Sequence, residues 1–247
     1  MKTKYTKAFA GLALVGSMVG PVMADTFDIT SGSLDIGSGV ILTAVAPKGS
    51  GTGTWDSIVR IGSPNSFVTG VNTDINGLYD NKAGIWTHDK TVGTVGTAGD
   101  YYLFQLDNGQ AANEPISLDR LKIYQDPTKY TSAGGMAGLL GGTAGLVFDT
   151  GGTDTFTVSA NAGNGQGDLW MYVPVSLLNH PTDYLYLYSE FGTGPGTYPA
   201  TGSFQEWGAL IGTAEPPPTP PTVPDGGMTL MLLGAGLSSL GFVRRLV

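Results

Sequence analysis

The chain has 247 residues, a formal net charge of −8 and no cysteine. The lack of cysteine excludes disulfides, zinc–thiolate sites and a cysteine nucleophile. Residues 25–213 hold seven Lys or Arg against 18 Asp or Glu, a net charge of −11, which argues against nucleic acid and anionic membrane surfaces as partners of this region.

The N-terminus has the three parts of a secretory signal peptide. Three lysines within the first seven residues form a positive n-region, and an apolar run follows at residues 8–19. A cleavage site, with small or modest-sized residues at its −3 and −1 positions, lies between Ala24 and Asp25. We therefore predict that residues 1–24 are a signal peptide.

Residues 25–213 have the pattern of an all-β domain. Short runs with alternating apolar residues, rich in β-branched and aromatic side chains, are separated by turns rich in Gly, Asn and Asp. Glycine accounts for 39 of the 247 residues, well above the usual share of about 7%. We expect a single antiparallel β-sandwich of jelly-roll type. Its predicted strands are 33–46, 54–61, 101–107, 116–124, 146–148, 155–159, 169–175, 184–191 and 204–211.

One segment of the domain is predicted to be a loop. Residues 133–145 contain six glycines among a few apolar side chains. We expect a flexible loop whose apolar side chains pack onto the sandwich, with a membrane-active or self-associating loop as the alternative.

Oxygen-rich turns are candidate sites for structural calcium. Calcium takes six to eight oxygen ligands, and glycine lets backbone carbonyls converge on the ion. Ordinary hydrogen bonding of Asp and Asn within turns is the alternative interpretation. The candidate ligands are Asp74, Asn76 and Asp80 in one turn, Asp149 and Asp154 in a second, and Asn161, Asn164 and Asp168 in a third.

Catalytic motifs are scarce, and we expect the protein not to be an enzyme. His88 and His180 are its only histidines, and no Gly-x-Ser-x-Gly elbow accompanies them. Paired carboxylates for glycoside hydrolysis are left open, because their separation is a property of the fold and not of the sequence.

Aromatic rows on two predicted strands are the candidate binding surfaces. Tyr184, Tyr186 and Tyr188 share one face of a strand, and Trp170 and Tyr172 share a face of another. Exposed rows of this kind can stack on sugar rings, whereas buried rows belong to the core. We favour burial, above all for Tyr186, and keep Tyr184 and Trp170 as candidate carbohydrate contacts.

The end of the chain changes in composition. Residues 214–222 hold five prolines, which favours a stiff polyproline II linker. An uncharged apolar run follows at residues 228–243, and at about 1.5 Å per residue it measures roughly 24 Å, slightly less than a hydrocarbon core of about 30 Å. We predict a transmembrane helix over 228–243, with Arg244 and Arg245 on its cytoplasmic side.

Residues 223–247 resemble the PEP-CTERM sorting signal, which exosortase-type enzymes process in Gram-negative bacteria that make exopolysaccharide. Val223, Pro224 and Asp225 match the usual Val-Pro-Glu-Pro motif with Asp in place of Glu, while Gly226 and Gly227 replace its second proline. The resemblance implies a precursor tethered in the inner membrane facing the periplasm. Processing by the sorting enzyme, whose type is left open, then delivers the protein to the cell surface or extracellular matrix.

Several motifs between residues 72 and 207 also resemble a loosely defined group of exported PEP-CTERM proteins of unassigned role. The resemblance implies a common β-rich fold and no assigned activity. These motifs include Gly70-Val71-Asn72-Thr73-Asp74, Trp86-Thr87-His88, Phe104-Gln105-Leu106-Asp107, and the runs 117–124, 170–178 and 184–192.

The resulting hypothesis is an exported surface or exopolysaccharide-matrix protein with a structural or adhesive role. The alternative is a carbohydrate-binding module of the extracellular matrix. A groove lined by two or three exposed aromatic residues favours the alternative, and a flat polar surface favours the first hypothesis.

Overall fold

A computed structural model describes residues 25–49, 53–62, 65–161, 165–192 and 198–217. Over these ranges the chain forms two β-sheets and one short α-helix, which confirms the predicted all-β sandwich. The predicted signal peptide and the sorting signal, with its transmembrane segment at 228–243, lie outside the described residues. Within the described ranges, no helix is long and apolar enough to cross a membrane.

Fourteen strands and one helix are present in the described part of the chain. In chain order they are β1 (Thr26–Asp28), β2 (Ser33–Asp35), β3 (Ile41–Gly49), β4 (Trp55–Ile61), β5 (Val68–Val71), β6 (Lys90–Thr91), β7 (Thr97–Ala98), β8 (Tyr101–Asn108), β9 (Pro115–Asp126), α1 (Ala133–Gly141), β10 (Leu146–Asp149), β11 (Thr155–Ser159), β12 (Gln166–Pro174), β13 (Tyr184–Phe191) and β14 (Gln205–Leu210). A 3₁₀ turn (Val92–Thr94) follows β6.

Each sheet has seven strands. The first runs β1-β11-β9-β13-β5, with β10 beside β9 and β6 beside β13, and the second runs β2-β3-β12-β8-β14-β4, with β7 beside β8. The prediction of a purely antiparallel sandwich is wrong at one edge, because β1 pairs with β11 in parallel. The chain crosses from β1 to β2, in the other sheet, after four residues. β1 therefore pairs with β11 at the edge of the first sheet and forms no hairpin with β2.

The core lies between the two sheets and follows the alternation of the strands. Leu185 and Leu187 of β13 and Phe104 of β8 are fully buried there, whereas Tyr186 belongs to a separate cluster on the outer face of the first sheet. Trp207 of β14 is also fully buried, and its indole Nε1 donates to Ser189 Oγ of β13 at 3.1 Å. Full burial of such a side chain contributes about 1.5–3 kcal/mol.

The glycine-rich segment predicted as a loop contains the helix α1. Ser132 precedes it, and its Oγ accepts a hydrogen bond from Gly135 N at 3.2 Å, as an N-cap does. Lys122 Nζ and Tyr124 OH both donate to the carbonyl of Leu140 at 3.0 Å and satisfy the last turn. Packing thus overrides the low helix propensity of glycine. Three buried side chains hold α1 on the outer face of the first sheet: Met136, Leu139 and Leu140.

The stretch predicted as one strand at 33–46 is a hairpin. β2 and β3 pair across a turn in which Gly37, Ser38 and Gly39 all have positive φ, at 115°, 53° and 76°. Such φ values are incompatible with a continuous strand. The alternating apolar pattern spans both arms of the hairpin and hides the turn between them.

Candidate functional site

A cleft of about 510 Å³ opens on the second sheet, where β8, β14 and β4 lie side by side. It is a concave site within the size range of about 300–1,000 Å³ that is typical of small-molecule pockets. Aromatic and charged side chains line it together, among them Trp55, Trp86, Phe204, Arg60, Asp107 and Glu206. We call this site the aromatic cleft.

Three partly exposed aromatic rings give the cleft its apolar surface. Trp55 begins β4, Trp86 lies between β5 and β6, and Phe204 directly precedes β14; all three are half-buried. Trp170 of β12 extends this surface, since its ring centroid lies 6.1 Å from that of Trp55. Rings held in this way offer rigid contact area to a ligand at little cost in conformational entropy.

Two exposed isoleucines line the same cleft. Ile85 is 81% exposed and Ile211 is 50% exposed, and both contribute to its lining. Large apolar side chains at this level of exposure are uncommon among the described residues. Their position enlarges the apolar area that a bound molecule would cover.

A buried amide provides a hydrogen-bond donor at the floor of the cleft. Gln105 is 2% exposed and lines the cleft, and its Oε1 accepts from Trp170 Nε1 at 3.1 Å. Because the indole only donates, the amide oxygen must face Trp170 and Nε2 must face away. Nε2 has no hydrogen-bond partner among the described residues, so it is available to a ligand.

Two glycines make room around this amide. Gly208 is the cross-strand partner of Gln105 on β14, and its lack of a side chain keeps the floor open. A Cβ at Gly208 would meet Trp55 Cβ at 3.4 Å, an ordinary contact. A Cβ at Gly167, by contrast, would lie 2.1 Å from the amide carbon of Gln105. The absence of a side chain at Gly167 therefore leaves room for the Gln105 amide, and the absence of one at Gly208 leaves that amide open to the cleft.

The charged side of the cleft is built on three adjacent strands. Arg60 of β4 and Glu206 of β14 are cross-strand partners, and Arg60 Nε donates to Glu206 Oε2. The guanidinium carbon lies 4.4 Å from the ring centroid of Trp86, a cation–π contact. Glu206 is also the cross-strand partner of Asp107 on β8. The guanidinium thus neutralises one of two facing carboxyl groups.

Asp107 is held differently from Glu206. Its Oδ2 accepts from Gly165 N at 2.6 Å, whereas its Oδ1 is enclosed and has no hydrogen-bond partner among the described residues. Burial raises the pKa of Asp107 to about 6, and the negative charge of Glu206 adds to this effect. Asp107 therefore keeps its proton to a higher pH than an exposed aspartate does.

The carboxylate at the other end of the cleft belongs to an ion-pair network. Asp56 Oδ2 lies 2.6 Å from Lys90 Nζ and 3.4 Å from His88 Nε2. Ser57 donates its hydroxyl to the carbonyl of Trp86, at 3.0 Å, and not to His88. His88 therefore lies beside a carboxylate and is not hydrogen-bonded to a serine nucleophile.

The predicted calcium ligands are occupied by protein partners. Asp149 accepts from Arg120 and Asp74 accepts from Lys129, with shortest distances of 2.9 and 2.6 Å. Asp80 Oδ2 accepts from Thr69 N at 2.8 Å, Asp154 Oδ1 accepts from Asp25 N at 3.4 Å, and Asn76 is exposed. The described ranges contain no group of three His, Cys, Asp or Glu positioned for a metal ion.

The third predicted turn is also held by backbone donors. Asp168 is 4% exposed and accepts from the backbone N–H groups of Asn108 and Asn161, while Asn164 lies outside the described residues. Burial raises the pKa of Asp168 to about 7. These contacts fit the alternative interpretation of Asp and Asn as turn-forming residues, and structural calcium stays a prediction.

The two candidate carbohydrate residues lie on different sheets. Trp170 flanks the aromatic cleft on the second sheet, whereas Tyr184 lies on the first sheet and stacks on Tyr186 with ring centroids 6.3 Å apart. Tyr186 is fully buried, as expected, in the cluster that also holds α1. Tyr184 and Tyr188 are half-buried against the same cluster. The structure therefore does not bring Trp170 and Tyr184 together.

The main cleft residues were missed by reasoning from the sequence. Trp55 and Glu206 lie in strands that were predicted correctly, and Trp86 was noted only as part of a motif. The sequence does contain one signal for this site. Trp55, Asp107 and Glu206 lie at strand positions whose side chains point away from the core. Without strand pairing, nothing in the sequence indicated that they meet.

The residues of the predicted sorting signal have no described positions. Of the two residues at the predicted cleavage site, Asp25 is the first described residue, and its carbonyl accepts from Thr155 N at 3.0 Å next to β11. The others lie outside the described ranges: Ala24, Val223, Pro224, Asp225, Gly226, Gly227, Arg244 and Arg245.

No protein-family model, curated protein or solved structure matches this chain. The chemistry of the aromatic cleft is therefore the basis for a functional proposal.

Proposed function

We propose that this chain is an exported carbohydrate-binding protein that holds a polysaccharide in the aromatic cleft. The observation that supports this proposal most directly is that one concave site is lined by polar groups and by three partly exposed rings, those of Trp55, Trp86 and Phe204. Sugar rings present apolar C–H faces and hydroxyl edges, so they need both kinds of contact. The proposal adopts the carbohydrate-binding alternative, and the adhesive role follows from attachment to polysaccharide.

The polar groups of the cleft suit hydroxyl recognition. Gln105 Nε2 is a donor at the floor with no acceptor among the described residues, and the carboxyl groups of Asp107 and Glu206 line the same cleft. Hydroxyl groups both donate and accept, so a sugar can satisfy donors and acceptors together. This mixture supports a sugar ligand over a purely apolar one.

Export to the cell surface or exopolysaccharide matrix is part of the same proposal. It is supported by the sequence pattern of the signal peptide, the Pro-rich linker at 214–222 and the PEP-CTERM-like tail. An exosortase-type enzyme would be the processing partner. The jelly-roll subtype of the sandwich is retained as a prediction, and structural calcium as the alternative to ordinary hydrogen bonding in the acidic turns.

Polysaccharide binding by ring-removal variants tests the proposal. Trp55→Ala and Trp86→Ala are compared with Tyr198→Ala, an exposed aromatic (42% exposed) next to the first sheet. Affinity electrophoresis against a panel of polysaccharides, with a denaturation curve for each variant, separates lost binding from lost folding. Loss of a stacking ring costs on the order of 1 kcal/mol, so we expect about a fivefold loss of affinity in the cleft variants alone. Equal binding by all variants would contradict the proposal.

A further inference from the structure

Asp107 and Glu206 have the placement of a pair of catalytic carboxyl groups. They are direct cross-strand partners on β8 and β14, and both line the aromatic cleft. Side chains directly opposite each other in an antiparallel pair have Cβ atoms about 4.5–5.5 Å apart. Retaining glycoside hydrolases hold two carboxyl groups about 5–5.5 Å apart on either side of the scissile bond. The register of these two strands therefore makes the two carboxyl groups neighbours on one face of the sheet, as that chemistry requires.

The two groups also have unequal environments. Arg60 donates a hydrogen bond to Glu206, whereas Asp107 has no cation within ion-pair distance among the described residues. Burial raises the pKa of Asp107 to about 6, so a substantial fraction keeps its proton in weakly acidic solution. A carboxyl group that keeps its proton, beside a second carboxyl group that a guanidinium contacts, provides the acid and the nucleophile that such a hydrolase needs.

The unpartnered oxygen of Asp107 agrees with a catalytic role. A buried polar atom without a hydrogen bond destabilises the fold, and groups of this kind concentrate at functional sites. The Oδ1 of Asp107 is such an atom. Because Oδ1 is enclosed, proton transfer to a ligand requires a change in χ2, which is broad for Asp, that turns this oxygen into the cleft. A purely structural role needs only the acceptor for Gly165 N–H, which an asparagine would also supply.

We propose that the aromatic cleft hydrolyses a glycosidic bond of the glycan it holds, with Asp107 as general acid and Glu206 as nucleophile. This inference rests on the proposed carbohydrate binding. The rings of Trp86 and Phe204 line the cleft next to the carboxyl pair, and Arg60 and Lys82 lie over them, so a sugar contacts the parts of these rings that the two cations leave open. Gln105, two residues before Asp107 on the same face of β8, donates to a hydroxyl group.

The reaction has two balanced steps. In the first, Asp107 gives its proton to the glycosidic oxygen while the C1–O bond breaks, and Glu206 Oε attacks C1 to form a glycosyl ester. In the second, the Asp107 carboxylate takes a proton from water, the hydroxide oxygen attacks C1, and the C1–O bond to Glu206 breaks. One glycosidic bond and one water yield two hydroxyl groups, and both carboxyl groups return to their starting states. The configuration at C1 is retained.

Hydrolysis assays on the purified full-length protein test this inference. Substrates are the polysaccharides that the protein binds and a set of 2,4-dinitrophenyl glycosides. A general acid contributes about 10²- to 10⁴-fold to rate, so Asp107→Asn should lower polysaccharide hydrolysis at least about a hundredfold. Binding of the same variant to polysaccharide is measured in parallel, and its loss of hydrolysis should greatly exceed any loss of affinity. Glu190→Gln, on the first sheet and away from the cleft, should hydrolyse as the wild type does.

Covalent labelling provides a readout that does not depend on turnover. A 2-deoxy-2-fluoro glycoside traps the glycosyl ester of a retaining enzyme, and peptide mass spectrometry should locate the label on Glu206. A protein that binds polysaccharide but releases no reducing ends and takes up no label would overturn the inference and leave the binding proposal standing. Unchanged hydrolysis by Asp107→Asn would also overturn it. If the wild-type protein bound none of the polysaccharides, the proposed function itself would be refuted.

Discussion

The indole Nε1 of Trp170 donates to Gln105 Oε1 at 3.1 Å across the adjacent strands β12 and β8. This one hydrogen bond fixes the orientation of an amide that is 2% exposed. It turns Nε2 away from Trp170, where no described residue accepts from it. Trp170 therefore contributes to the cleft through the group it orients.

Replacing Trp170 by Phe should weaken polysaccharide binding severalfold. The substitution removes the donor and leaves Gln105 Oε1 buried without that partner, which costs about 1–3 kcal/mol of folding free energy. It also lets the amide adopt either orientation, so the ligand loses a fixed donor. Calorimetric titration and thermal unfolding of the same protein measure both effects. Tyr101→Phe, on the same face but outside the cleft lining, is the control and should bind as the wild type does.

The strands were predictable where one face is buried. β8, β13 and β14 were expected close to their observed limits, because alternation of large apolar and other residues follows directly from packing on one side. The short strand β5 has too few residues for such a pattern. The helix α1 forms because Met136, Leu139 and Leu140 pack against tyrosines of β9 and β13. Elements that depend on a distant partner were the ones missed.

The cleft could not be predicted for a related reason. Trp55, Asp107 and Glu206 are far apart in sequence, and only the order β8-β14-β4 and its register bring them together. A shift of one residue in either pairing would turn these side chains toward the core. Trp170 was identified because its strand carries an aromatic pair, a local signal that needs no pairing information.

The contribution of Asp107 to the unfolding free energy should decrease as pH rises from about 4 to about 6. The pKa of Asp107 is raised to about 6 by burial, while an unfolded Asp has a pKa of about 3.9. Between these values the folded protein binds more protons than the unfolded chain, so a rise in pH favours unfolding. The raised pKa of Asp168 also makes the unfolding free energy decrease as pH rises. The unfolding free energy from urea titrations should therefore decrease less, or increase more, with rising pH for Asp107→Asn than for the wild type. The same dependence on pH in both proteins would contradict the assignment.

Replacing Tyr186 should affect stability and not polysaccharide binding. Its hydroxyl donates to the carbonyl of Thr128 and accepts from Tyr130 N, both at 3.0 Å, and its ring is fully buried. Tyr186→Ala should cost about 3–5 kcal/mol, as for other large buried aromatics. Denaturation midpoints and a polysaccharide pull-down on the same protein give the test. Lost binding with an unshifted midpoint would make the tyrosine row, and not the cleft, the sugar surface.

A chelator distinguishes calcium from ion pairs in the acidic turns. Arg120 and Lys129 already neutralise Asp149 and Asp74, so we expect millimolar EDTA to leave the thermal midpoint unchanged. An ion bound only to the folded state would stabilise it by mass action, and its removal would lower the midpoint. A lowered midpoint that calcium, but not magnesium, restores would establish the calcium hypothesis instead.

The mature protein should lack residues 228–247. Val223-Pro224-Asp225, an uncharged run of 16 residues and two arginines follow one another in an order that resembles the PEP-CTERM signal. We therefore expect cleavage between the motif and the apolar run. Pro224→Ala should block recognition and hold the precursor in the inner membrane, because the apolar run then stays attached. Pro221→Ala, in the linker, is the matched control and should be sorted normally. Peptide mass spectrometry of the inner-membrane and surface fractions follows the C-terminal peptide, and an intact C-terminus in the surface fraction would show that the tail is a permanent anchor.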